Sequence, residues 1–227
     1  MNRIIGMEEL EEGIVIRAAY QLSGKGHRGN TWLSEPGKNL LFSILLKPEF
    51  LPVDTAFHLS RIVSLALVEV IDKQKLKASI KWPNDILVRS RKICGILIEN
   101  SIIRNSISHA VIGIGMNVNQ EKFDDGIPTP TSLLLEKRCH FDMNLLLEDI
   151  RSALERWYQV LLTGNTKQIM DEYLEHLFGL RIPANYSDGE TVFRASINNV
   201  LPGGELEVLL EGGGIRRFGF REIKFLD

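Results

Sequence analysis

Little in this sequence suits a disulfide-held, metal-bridged or membrane-embedded protein. Its 227 residues include two cysteines, Cys94 and Cys139. They form neither a disulfide framework nor a C-x-x-C metal spacing, so a reducing cytoplasm is the expected compartment. No apolar run approaches the ~20 residues that would span a bilayer, and the N-terminus lacks the basic-then-apolar pattern of a signal segment. Neither sign of charge prevails: 27 Lys and Arg against 29 Asp and Glu leave a formal net charge of −2. That balance excludes a strong overall field to recruit nucleic acid or an anionic membrane. Repeats, heptads and low-complexity tracts are missing, as is a recognisable Ser-His-Asp or Cys-His set. What remains is an ordinary globular composition, long enough for one substantial core plus a small second unit.

The pattern along the chain is α+β. Gly13 to Ala19 reads as a buried strand and Leu40 to Leu46 (LLFSILL) as another. Asp54 is placed to cap a helix whose apolar stripe is Leu59, Ile62, Val63, Ala66, Leu67 and Val70. Three β-like segments follow: Ser79–Val88, Lys92–Glu99 and His109–Val118, the first two joined by Arg89-Ser90-Arg91 as a hairpin. Asp142 opens a helix with Leu146, Ile150, Ala153, Trp157 and Leu161 on one face, stopped by Gly164. A second helix puts Ile169, Met170, Tyr173, Leu174 and Leu177 inward. From about Gly179 short strands alternate with Asp188-Gly189, Pro202-Gly203-Gly204 and Gly212-Gly213-Gly214, the pattern of a small β-meander or barrel. Two domains are therefore expected, 1–178 and 179–227, without the strict βαβ alternation of a parallel sheet.

Gly24-Lys25-Gly26-His27-Arg28-Gly29 matches G-x-G-x-x-G after a strand, but a dinucleotide fingerprint also needs a helix starting in the loop. Here the chain runs through Asn30–Ser34 and Pro36-Gly37 into another strand, so that assignment fails. A kinase loop would need V-A-I-K and H-R-D segments, and a Walker loop G-x-x-x-x-G-K-[ST]; none is present. Two readings stay open. Lys25, His27 and Arg28 on a glycine-permitted backbone suit a site bringing two anions together, and they equally suit a solvated hairpin tip.

Lys81-Trp82-Pro83-Asn84-Asp85 interrupts a strand with a proline, which is tolerated at edges and bulges. A bulge there would aim Lys81, Asn84 and Asp85 at a ligand; a plain edge kink with Lys and Asp paired is the alternative. Lys92 begins the next strand, where it either reaches across the sheet face or guards a strand edge. Gly95 within that strand points to close approach of a ligand or another backbone. In Ile112-Gly113-Ile114-Gly115-Met116-Asn117 alternating glycines strip one face, leaving room for something flat beside Asn117, or for tight sheet–helix packing.

Taken in order, the glycine loop followed by Trp32, KWPNDILVRSRKICGILIEN at 81–100 and GIGMNVN at 113–119 resemble the biotin–protein ligase family. The likeness is strong from about Gly13 to Asn119 and looser in the C-terminal module. It implies a catalytic domain related in fold to the class II aminoacyl-tRNA synthetases, with a small SH3-like C-terminal barrel. It implies that biotin and ATP, with Mg²⁺, give biotinyl-5′-adenylate and pyrophosphate, and that a lysine of a biotin carboxyl carrier protein then takes the biotinyl group. Lys92, Lys25 and Arg28 would be the catalytic cations. Gln21, Gly24, Lys25, Gly26, His27, Lys92 and Gly95 would hold biotin; Arg28, Gly29, Trp32, Lys81, Asn84, Asp85 and Asn117 would hold the ATP or adenylate side.

The carboxylate's attack on an α-phosphate brings anion to anion, which preorganised cations offset. No enzyme nucleophile is required, because the carrier lysine is one. His27 stands where many relatives carry arginine, so adenylate retention is expected to weaken as pH climbs from about 6 to 8. The family usually has a strand and an S-T-N segment before the acidic stretch. This chain starts Met1-Asn2-Arg3, so an N-terminal truncation is expected, and with no room for a helix-turn-helix a repressor role is not. A homodimer is an expected assembly. The competing readings are a lipoate–protein ligase or octanoyltransferase, whose R-x-x-G-G-G-x-x-x-x-H-D signature is missing, and a catalytically impaired biotin-binding module.

Overall fold

The computed structural model describes residues 10–22, 24–26, 31–124 and 129–226, without the side chains of Lys25 and Thr31. Its main sheet has six strands: β1 (Val15–Ala18), β4 (Leu40–Leu46), β5 (Ala78–Lys81), β6 (Asp85–Val88), β7 (Arg91–Ile103) and β8 (Ser106–Met116). They lie in the order β1-β4-β8-β7-β6-β5, and every neighbouring pair is antiparallel. Two further short strands, β2 (Gly24–Lys25) and β3 (Thr31–Trp32), form a separate hairpin across the glycine loop.

Strand alternation divides the sheet into two unlike faces. Leu40, Phe42, Ile44 and Leu46 of β4 and Ile112 and Ile114 of β8 point into the hydrophobic core. Three helices cover that face: α1 (Phe57–Lys73), α3 (Met143–Leu162) and α4 (Thr166–Glu175), the last two packing on α1. A short helix, α2 (Leu133–Lys137), closes the loop after β8. All six residues of the expected α1 stripe are buried, but so is most of the rest of that helix, Leu65, Val68 and Ile71 included. Each such aliphatic side chain contributes about 1.5–3 kcal/mol by leaving water. Asp142 caps α3 as expected, accepting from the backbone N–H groups of Asn144 and Leu145.

Several expectations are corrected. Asp54 does not cap α1: it lies in a 3₁₀ turn, Val53–Thr55, and the helix begins at Phe57 after Ala56 with no side-chain cap. Ser79–Val88 is not one interrupted strand. Lys81 pairs with Asp85 in antiparallel register, so Trp82-Pro83-Asn84 is the reversal of a hairpin, and proline sits where no ladder hydrogen bond is needed. The segments expected at 92–99 and 109–118 are longer and form a hairpin of their own, β7–β8. Trp157 and Met170 are half-buried rather than core residues.

The C-terminal chain forms a second antiparallel sheet in the order β12-β11-β10-β9-β13, from β9 (Pro183–Ser187), β10 (Val192–Val200), β11 (Leu206–Leu210), β12 (Ile215–Phe218) and β13 (Lys224–Phe225). The three glycine-bearing turns fall between its first four strands, as the sequence indicates. The sheet docks on α1 and the β5–β6 turn. Trp82 donates its indole N–H to the Gly204 carbonyl at 2.8 Å. Arg61, fully buried on α1, donates to the carbonyls of Val200 and Leu201 at 3.0 and 2.6 Å. Gly204 has φ +102, and an added Cβ would stand 2.7 Å from the Phe57 ring, so only glycine fits that contact.

Candidate active site

At its centre, the face of the sheet away from the helices carries small residues, flanked by the buried Leu41, Leu45 and Val111. Gly95 of β7 pairs with Gly115 of β8, and Gly113 lies between Leu97 and Ser43 of the flanking strands. These positions floor a cavity of about 260 Å³, whose rim includes Gln21, Gly26, Trp32, Asn84, Lys92 and Glu99. The flat group on the glycine floor is the chain's own Trp32. A Cβ added to Gly115 would stand 2.5 Å from the indole, and one on Gly95 2.8 Å, separations no real side chain tolerates. The glycine pattern thus answers to close approach of an aromatic ring.

Trp32 is delivered by the β2–β3 hairpin, in which it pairs with Gly24. Gly24 is itself sterically required: a Cβ there would meet the Trp32 carbonyl at 2.4 Å and Gln21 Oε1 at 2.8 Å. The indole N–H of Trp32 is buried with no hydrogen-bond partner among the described residues, and so is the hydroxyl of Ser34. Gln21 and Trp32 also line a second cavity of about 340 Å³, with Ser34, Gln120, Lys122 and Phe123 on its walls. One glutamine and one indole are therefore a shared wall between two adjoining pockets, the first floored by glycine and ringed by polar side chains.

Lys92 stands at the near end of the glycine floor. Its ammonium lies 2.6 Å from Asp85 Oδ1 and 5.6 Å from the centre of the Trp32 ring. The β5–β6 hairpin delivers Asp85, and Asn84 beside it donates to the Ile96 carbonyl at 2.8 Å. Of the expected site residues, Gln21, Gly26, Trp32, Asn84, Lys92 and Gly95 line the first cavity, and Gly24 and Asp85 adjoin it through their partners. Lys81 and Asn117 line neither cavity. The Lys81 ammonium sits over the Phe225 ring of the C-terminal sheet at 5.4 Å, and Asn117 is buried, donating to the Thr131 carbonyl at 3.0 Å. His27, Arg28, Gly29 and the side chain of Lys25 lie outside the described residues.

Sequence reasoning missed the polar framework behind the second cavity. Asn39 accepts from the Val118 N–H at 3.0 Å and donates to Gln120. Ser132 bonds the Gln120 carbonyl at 2.5 Å, and Asn119 holds Phe141 through two backbone bonds of 2.9 and 3.0 Å. Glu136 of α2 is also buried, 2.6 Å from Arg91 and 3.7 Å from Arg89, and accepts from the Thr131 hydroxyl at 2.6 Å. These residues fix the segment following β8 and the β6–β7 turn on either side of Lys92. Cys94, adjacent to Gly95, is inert by contrast: burial pushes its thiol far above the ordinary range.

Residues 2–117 match the biotin/lipoate A/B protein ligase family. The chain is 32% identical over 157 residues to the bifunctional ligase/repressor BirA of Escherichia coli, covering 66% of this chain and 49% of that protein. It is 28% identical over 166 residues to the biotin–[acetyl-CoA-carboxylase] ligase of Paracoccus denitrificans, covering 70% and 68%. The chain spans about half the length of the BirA proteins it matches or less. In fold it is similar to the biotin protein ligase of Aquifex aeolicus solved with biotin and ATP: TM-score 0.82 at 23% identity, over 98% of this chain and 92% of that one.

Proposed function

The chain belongs to the biotin/lipoate A/B protein ligase family, and from that premise we propose that it is a biotin–protein ligase. It activates biotin with ATP to biotinyl-5′-adenylate and passes the biotinyl group to a lysine of a biotin carboxyl carrier protein. The observation that carries this reading is the pair of cavities sharing the Gln21–Trp32 wall. An acyl-adenylate is a two-headed molecule, and two adjoining cavities, one of them floored by glycine, suit its acyl and nucleotide halves. Relatives named for this activity support the choice of acid.

In the first step a carboxylate oxygen attacks the α-phosphorus of ATP and pyrophosphate leaves. Lys92 offsets the repulsion between the two anions and the charge that develops as they join, a role typically worth 10²–10³ in rate. Asp85 holds the Lys92 ammonium at the floor's edge, so the charge is positioned before substrate arrives. Lys25 and Arg28 bring further positive charge from the loop, and Gly24, Gly26 and Gln21 shape its approach. In the second step the acceptor's amine attacks the acyl carbonyl and AMP leaves. Mg²⁺ would enter with ATP, held chiefly by phosphates and water as that ion usually is; among the described residues no group of three or more His, Cys, Asp or Glu is placed to hold a metal.

Lys81 and Asn117 act in this scheme through what they touch, Lys81 by tying the β5–β6 hairpin to Phe225 and Asn117 by fixing the loop at Thr131. The test is direct: the protein incubated with biotin, ATP and Mg²⁺ yields biotinyl-5′-adenylate by mass spectrometry, and added carrier protein becomes detectable with streptavidin. No adenylate under these conditions would overturn the assignment.

A further inference from the structure

One polar side chain interrupts the apolar run LLFSILL. Six of the seven residues of β4 are buried, and only Ser43 is not fully so. Alternation puts Phe42 and Ile44 into the core and turns Ser43 to the glycine face, where it lines the first cavity. Its cross-strand neighbour is Gly113, and a Cβ built on that glycine would lie 4.0 Å from the Ser43 hydroxyl oxygen. Every other polar residue named on that rim enters from a loop or a strand end or, in the case of Glu99, has a partner of its own. Ser43 is half-buried, and its hydroxyl forms no hydrogen bond to another described residue that would hold it away from the cavity.

A bound acid that covers this hydroxyl takes it from water, and the cost of doing so is offset only where the ligand offers it a hydrogen-bond acceptor. Strand geometry says which end of a ligand it meets. Gly95, beside the Lys92 side chain, is two strands across and two residues along from Ser43, a separation of roughly 12 Å. An acid whose carboxylate lies at Lys92 therefore presents the head of its extended arm at Ser43. Given the biotin ligase activity proposed above, on which this step rests, we infer that Ser43 is a specificity-determining residue. Its hydroxyl donates to the ureido oxygen of biotin's bicyclic head and so favours biotin over acids whose head lacks that acceptor.

Calorimetric titration of the full chain with biotin and with dethiobiotin, which keeps the ureido group but lacks the sulfur, tests the assignment. Ser43→Ala is expected to weaken both acids by the same factor, roughly 3- to 10-fold, with kcat for adenylation at saturating biotin unchanged. Ser43→Cys, similar in size but a weaker donor, falls between the two, and neither variant lowers Tm. Equal affinity of Ser43→Ala and the parent protein for biotin overturns the inference while leaving the ligase reading standing. A loss seen with biotin but not dethiobiotin would move the contact to the sulfur and overturn the ureido assignment. Failure of the parent protein to bind biotin at all overturns the ligase reading and this inference with it.

Discussion

The two faces of the six-stranded sheet are built from the same strands and differ in almost every other respect. On one, Phe42, Ile44, Ile112 and Ile114 meet three helices and fill the space between them. On the other, Ser43, Gly113 and Gly115 stand between the larger Leu41, Leu45 and Val111, and the space the small residues leave is a cavity with Trp32 lying over part of it. A period of two residues thus lets one strand serve stability and function at once. The lesson is that the two roles separate by face, so substitutions one residue apart should have effects of different kinds.

The largest effect on this contrast is expected from Ile112→Ala, which empties a fully buried core position. It should lower unfolding free energy by about 2–5 kcal/mol in urea denaturation, with the ligand preference of the remaining folded protein intact. Lys92→Ala should leave stability nearly unchanged and reduce the rate of adenylate formation about 10²–10³-fold in single-turnover measurements. Gly115→Ala adds one methyl to the glycine floor against the indole. It should weaken biotin binding at least about tenfold while shifting Tm by only a few degrees, the reverse of its neighbour Ile114→Ala. A Gly115→Ala protein that binds normally but unfolds easily would erase the distinction between the faces.

The smallest effect concerns pH and lies on the core side. Burial first, and the neighbouring Arg61 charge second, lower the His58 pKa to about 4. The folded protein keeps His58 neutral while the unfolded chain takes up a proton below about 6.5. Its contribution to stability is therefore full above pH 6.5 and is lost progressively as pH falls toward 4. The urea midpoint should decline across that window, and His58→Gln should flatten the decline.

Much of the core face was legible in the sequence, because its signals are local. The α1 stripe, the Asp142 cap of α3 and the run LLFSILL each declare themselves within a few residues. The site was legible in composition more than in arrangement. Lys92, Gly95, Asn84 and Gln21 were recognised and do come together, but the partner of Gly95 and Gly115 is Trp32, more than sixty residues earlier in the chain. No periodicity reports such a pairing. KWPND read as a bulge because the direction of the strand after a proline is set by its partner strand, and α2 escaped because five residues carry almost no helical period. Ser43 passed unread within the strand LLFSILL, because its place in the cavity depends on Gly113 beside it.

The most direct measurement is ATP–pyrophosphate exchange by the 227-residue chain with Mg²⁺ and biotin, lipoate or no acid. The account predicts exchange with biotin, little above background with lipoate or without acid, and its loss in Lys92→Ala. Exchange driven by lipoate rather than biotin, or none with any acid, would contradict it.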